Sequence, residues 1–274
     1  MGTSSHNIGQ KGNTPLVPSW LASWLDQPDV EKQQNTEKDE TSSIPIGEPN
    51  RFTQPRGEFT RYINSAGRDT GMARKSIANY VRNSMGGSKN AAQRLGAARN
   101  SSARLLNVTG IFASGGAQAV ERYLSLENLS NRNATDALLA IADFVCPDGG
   151  PQDEGIARNA YITAIEESPE IASIPFEELT AEQMLLIVQK SMANVVCGRI
   201  LNDIGNKIIM LPDDIDVAER LVAQIKEFVK GAISDAVSDL KVDVNNLSQH
   251  QSIDIVNEVY QTTFEIMARV GDDE

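Results

Sequence analysis

The chain has 274 residues, 40% of them hydrophobic, and a formal net charge of −12 at pH 7, so it holds enough apolar material for a sizeable core in one large or two ordinary domains. Cys146 and Cys197 lie far apart with no C-x-x-C, which fits a reducing compartment and small buried side chains; His6 and His250 stand near opposite ends, which excludes a zinc cluster and an ordinary histidine-based triad. Aromatics at 5%, beside abundant Ala, Ile, Leu and Val in the second half, favour helix packing over a sandwich of short strands. The expected fold class is therefore an all-α (mainly helical) body with a disordered or extended N-terminal arm.

Residues 1–50 are rich in Gly, Ser, Asn, Gln, Pro and Glu, a composition that buries too little apolar surface to offset the entropy of ordering, and they are expected to form a flexible arm. No charged segment followed by an apolar run opens the chain, so a signal peptide is not expected. Gly2 is small enough for the initiator Met to be removed, which leaves a glycine amine with a pKa of about 8 and an appreciable uncharged, nucleophilic fraction near neutrality. His6 stands where N-myristoylation requires Ser or Thr, which argues against lipidation. Within the arm, Pro15, Leu16, Val17, Pro18, Trp20 and Trp24 form an apolar cluster that reads either as a docking segment for a partner or as a cover for the protein's own body.

Residues 51–105 form a basic, repeat-like helical region. From Arg51 to Arg104 there are eleven Lys or Arg against Glu58 and Asp69, a net of +9, whereas residues 1–50 sum to −4 and residues 105–274 to −17. Two units stand nineteen residues apart: Asn64-Ser-Ala-Gly67 and Asn83-Ser-Met-Gly86 each can end one helix at a glycine and let a polar side chain begin the next. The positive charge has two readings. Arg74, Lys75, Arg82, Lys89, Arg94, Arg99 and Arg104 could face nucleic-acid phosphate, or they could pair with the acidic body or an acidic partner.

Residues 106–274 read as an acidic helical domain. Gly110, Gly115 and Gly116, set among alanines, suggest a closely packed connector; Gly115-Gly-Ala has no following Gly-Lys-Ser/Thr and so is not expected to bind ATP. The stretch Leu105 to Val120 is uncharged but too short and too polar to span a bilayer. Helical spacing then predicts helices over Asn133 to Val145, Gln152 to Glu167, a long one from a Thr180/Gln183 capping box through Ile208 to Pro212, Asp214 to Leu240, and Ser252 to Val270. The acidic clusters Asp213, Asp214, Asp216 and Glu166, Glu167, Glu170 read either as metal ligands or as carboxylates meeting helix dipoles.

Four stretches taken together resemble the QatB family of the Qat anti-phage defence system: Met1-Gly-Thr-Ser; Asn13-Thr-Pro-Leu-Val-Pro-Ser-Trp20; the doubled basic unit with Ile77-Ala-Asn-Tyr-Val-Arg-Asn-Ser-Met-Gly-Gly87; and Phe144-Val-Cys-Pro-Asp-Gly-Gly150 with Asp153-Glu-Gly-Ile-Ala-Arg-Asn-Ala160. The resemblance runs in order over nearly the whole chain and departs at Ser19, where a second Pro is expected. It implies a non-enzymatic protein of the bacterial cytoplasm that works beside a P-loop ATPase (QatA), a QueC-like enzyme (QatC) and a TatD-like nuclease (QatD). It further implies that Gly2 is the acceptor amine for a 7-deazaguanine group, with Thr3 and Ser4 as the tail read by the partner. The protein would bind no cofactor itself, ATP and the 7-deazaguanine precursor being used by the partner enzyme. The alternative from another class is a nucleic-acid-binding adaptor that engages phage DNA for the nuclease; neither reading involves a membrane.

Overall fold

A strong start signal and an unbroken apolar pattern place one long, largely buried helix at the centre of the fold. In this computed structural model, which describes residues 50–147, 152–205, 215–245 and 247–270, the Thr180 hydroxyl accepts the Gln183 N–H at 3.2 Å while Gln183 Oε1 accepts the Thr180 N–H at 2.9 Å. The helix that follows, Ala181–Ile204, buries Met184, Ile187, Val188, Met192, Val195, Val196, Ile200 and Ile204. It is long and apolar enough by composition to cross a membrane, yet 61% of its most apolar window is buried inside the protein, as befits a helix with neighbours on several sides.

Among the described residues the chain is helical throughout, with no strand beyond one isolated bridge between Asn133 and Pro175. In order, α1 is Thr53–Asn64, α2 Thr70–Asn79, α3 Ser88–Gln93, α4 Ala97–Leu124, α5 Ala134–Ala140, α6 Ala142–Val145, α7 Gln152–Glu166, α8 Ala181–Ile204, α9 Ile215–Asp239 and α10 Gln249–Arg269. A π-helical turn, Tyr80–Ser84, follows α2, and two 3₁₀ turns, Pro169–Ile171 and Phe176–Glu178, precede α8. Helix α8 packs against α7, α9 and α4; α4 also meets α7 and α10; α10 in turn packs on α9, α3 and α2. One hydrophobic core joins Phe59 and Ile77 of the basic region to Leu106, Val196, Ile225 and Phe264 of the acidic part. The boundary drawn at 105/106 falls inside α4, and residues on both sides of it line that core.

The first basic unit folds as the sequence suggests. Helix α1 ends at Asn64, Gly67 takes φ +80°, and Asp69 caps α2 by accepting the Met72 N–H at 3.1 Å. A Cβ at 67 would also stand 2.7 Å from Gln224 Oε1, so that side chain would have to shift. The second unit differs: the π turn takes up Tyr80–Ser84, Gly86 and Gly87 have φ +78° and +102°, and α3 starts with no side-chain cap.

Three expectations about helix limits change. Asn133 to Val145 is two helices, broken at Ile141 (φ −91°, ψ 1°), which brings Val145 and Cys146 into the core and leaves Phe144 exposed. Helix α10 starts before Ser252, through a second capping box in which Ser248 and Gln251 bond reciprocally. Helix α8 ends at Ile204; Ile208, Pro212, Asp213 and Asp214 lie outside the described residues. The glycine-rich connector is helical, with Gly110 against Leu247 and Val244 and a kink at Gly115 and Gly116.

Candidate interaction surface

Charge placement decides what the basic region can do. The densest group surrounds Asp203 in the last turn of α8. The Tyr80 hydroxyl donates to Asp203 Oδ2 at 2.8 Å and Arg199 Nε donates to the same oxygen at 3.1 Å. Arg56 reaches across from α1 and donates Nε and Nη2 to the Asp203 carbonyl at 2.9 and 2.7 Å, so a guanidinium closes the C-terminal end of the core helix. The Phe52 ring lies under Arg51 and Arg56, 4.7 and 5.2 Å from its centroid, and stacks on Tyr80 at 6.1 Å. Burial, followed by the charge of Asp203, holds the Tyr80 phenol well above its usual range. Arg94 joins this group: its pKa is lowered first by burial and then by the guanidinium groups of Arg51 and Arg199.

The other basic side chains go elsewhere. Arg82, in the π turn, donates to the Ala268 carbonyl at the end of α10, and Arg99 Nη1 donates to Asn257 Oδ1 of the same helix at 3.1 Å. Arg68 turns back on the Ser65 carbonyl at 3.0 Å. Lys75 on α2, Lys89 on α3 and Arg104 on α4 make no hydrogen bond or ion pair among the described residues, and both lysines are exposed. Arg74 is exposed on α2. The seven cations singled out from sequence are thus distributed over α2, the π turn, α3 with the Arg94 that caps it, and α4, and Arg82 and Arg99 bond to α10. Gly2, Thr3, Ser4, Pro15, Leu16, Val17, Pro18, Trp20 and Trp24 lie outside the described residues.

The acidic cluster at the end of α7 meets lysines. Glu167 pairs with Lys226 and stands 4.0 Å from Lys230, while Lys190 Nζ donates to the Glu167 carbonyl at 2.8 Å, the Ser168 hydroxyl at 2.7 Å and Glu170 at 3.0 Å. Among the described residues no group of three or more Asp, Glu, His or Cys is arranged to hold a metal ion. Both cysteines are buried as free thiols, and burial pushes the Cys197 thiol up to about 11.

Sequence reasoning passed over Asp203, Tyr80, Phe52, Arg51 and Arg56. One signal was available: an Asp in the last turn of a helix opposes the helix dipole, and Arg199 four residues before it marks a pair on one face. That Tyr80 and Arg56 converge there is tertiary information.

What the fold and these contacts define is an all-helical protein whose basic N-terminal helices are fastened onto the ends of more acidic ones. A family model described as QatB, Qat anti-phage system associated protein QatB, matches residues 86–267, more than half of the chain, and the chain belongs to that family. It is thereby a component of an anti-phage defence system, with other components of that system as its partners. No curated protein and no solved structure matches the chain.

Proposed function

We propose that this protein is a non-enzymatic subunit of a defence complex in the bacterial cytoplasm and that it presents its N-terminal glycine to a QueC-like partner, QatC, for processing or conjugation. Family membership supports the place in the defence system, and the Met1-Gly-Thr-Ser terminus supports the chemistry. Once Met1 is removed, the Gly2 amine is unhindered and partly uncharged near neutrality. The partner uses ATP to activate the carboxylate of a 7-deazaguanine precursor; the Gly2 nitrogen attacks the activated carbonyl carbon, the ATP-derived group leaves, and the amine loses a proton as the amide bond forms. Thr3 and Ser4 are the tail the partner reads, and Pro15, Leu16, Val17, Pro18, Trp20 and Trp24 dock the arm. The P-loop ATPase QatA and the TatD-like nuclease QatD complete the assembly.

Intact-mass measurement after co-expression with the QueC-like partner, with and without active ATP chemistry, tests this. The expected result is an added mass on the N-terminal peptide that disappears in the Gly2→Pro variant; an unmodified Gly2 terminus overturns the reading.

A second reading, a nucleic-acid adaptor, draws on the exposed Lys75 and Lys89. It requires DNA affinity that falls steeply with salt and weakens when these two lysines are replaced by Gln.

A further inference from the structure

The basic hairpin α1–α2 does not close completely onto α9. A cleft of about 420 Å³ remains between them, floored by Tyr62, Ala73, Ile77, Ile225 and Phe228. Polar groups stand at its rim: Thr70 and Arg74 on the α2 side, Arg220, Gln224 and Glu227 on the α9 side. Tyr62 does not leave its hydroxyl unmatched at the floor, for it donates to Gln224 Oε1 at 2.6 Å and lies 3.3 Å from the Leu221 carbonyl.

Two cations, Arg74 and Arg220, stand on the rim against one carboxylate, Glu227. Arg220 is exposed and makes no hydrogen bond or ion pair among the described residues. Glu227, the carboxylate on the rim, is held by Lys230 at 3.0 Å. On the hairpin, Glu58 accepts two bonds from Asn79 at 2.9 and 2.8 Å and Asp69 is the cap of α2, so both of its carboxylates have work inside the fold. Arg61 and Lys75 on the same hairpin are exposed and uncompensated by any carboxylate among the described residues. An apolar floor large enough for one or two bulky side chains, beneath a cationic rim, fits anchor-and-flank recognition. The floor is built largely from aliphatic side chains rather than from exposed stacking rings, which fits an amino-acid side chain better than a nucleobase.

From this we infer that the cleft between α2 and α9 docks an acidic peptide segment of a partner protein, which inserts one bulky apolar side chain between Ile77, Ile225 and Phe228 and sets a flanking carboxylate against Arg220. The inference is independent of the Gly2 chemistry. Arg220 supplies charge selection and the apolar floor supplies the anchor.

The test uses the full chain and a fluorescein-labelled peptide, Asp-Glu-Leu-Trp-Asp-Glu, read by anisotropy. Controls are the same peptide with Lys at the four acidic positions, and a labelled single-stranded oligothymidylate. Two variants change exposed positions: Arg220→Glu reverses the rim, and Ala223→Trp, on α9 at the cleft, fills it. Circular dichroism confirms that each retains its helix. The expected result is saturable binding of the acidic peptide, weakened about tenfold or more by each variant, with no binding of the Lys peptide. The inference is overturned if the acidic peptide fails to saturate at millimolar concentration, if the Lys peptide binds as well, or if Ala223→Trp leaves affinity unchanged. Sedimentation showing a dimer that Ala223→Trp dissociates would assign the cleft to a second copy of the chain instead. Oligothymidylate binding that Arg220→Glu alone abolishes, with the peptide unaffected, would assign it to phosphate.

Discussion

Asp203 occupies a position that a helix disfavours, because the last turn of α8 carries the negative end of its dipole. It is held there by what comes from outside the helix: the Tyr80 hydroxyl at 2.8 Å, the neighbouring Arg199 at 3.1 Å, and Arg56 on the backbone carbonyl of the same residue. Removing the charge while keeping the shape leaves Arg199 without its carboxylate. Asp203→Asn is therefore expected to lower stability by about 1–3 kcal/mol in urea unfolding. Tyr80→Phe removes one donor and leaves the Arg199 pair intact, and should cost about 1 kcal/mol. An equal and negligible effect of both would show that the cluster is ornamental to the fold.

The elements show how closely the helices approach. At Gly110 of α4 an added Cβ would meet Leu247 Cβ at 3.0 Å and the Val244 carbonyl at 3.1 Å, so the segment before α10 lies directly on the glycine. At Gly231 of α9 an added Cβ would meet nothing within 4 Å. Gly110→Ala should therefore destabilise by about 1–3 kcal/mol through overpacking. Gly231→Ala, in an exposed helix interior, should stabilise by about 0.5–1 kcal/mol by restricting the unfolded chain. Thermal unfolding of the two variants side by side checks both signs. A related rule governs helix ends here: Arg56 closes α8, Arg82 closes α10 and Lys190 reaches the carbonyl that follows α7. Cations serve the orphan carbonyls that water or a glycine turn would otherwise satisfy.

Across the whole molecule, carboxylates bound to N–H groups set the response to acid. The Ser130 amide lowers the Glu121 pKa; Glu170 is lowered by its own backbone N–H and then Lys190; Asp243 is lowered by the Asn245 amide. Each folded pKa is depressed, so the unfolded chain binds more protons at low pH. The stabilisation is fully present above the unfolded carboxylate value of about 4 and is lost as pH falls through the lower folded values. Urea midpoints should thus be flat from neutrality down to about pH 5 and decline below it; a midpoint that rises on acidification would contradict this, and would mean that repulsion within a chain of net charge −12 dominates. Much of this architecture was legible in residue order. The Thr180/Gln183 box, the apolar stripe of α8, the Asn64 to Gly67 turn and the segregation of charge are local patterns, and local hydrogen bonding and helical periodicity enforce them wherever the chain goes. The break at Ile141 and the π turn at Tyr80 were not legible because packing, rather than the flanking residues alone, selects them, whereas the Ser248/Gln251 box is a local pattern of the same kind as Thr180/Gln183. The destinations of the cations were invisible for a deeper reason. Arg56 and Asp203 are 147 positions apart, as are no two residues a periodicity can relate, and only the tertiary fold brings a guanidinium on α1 to the open carbonyl end of α8.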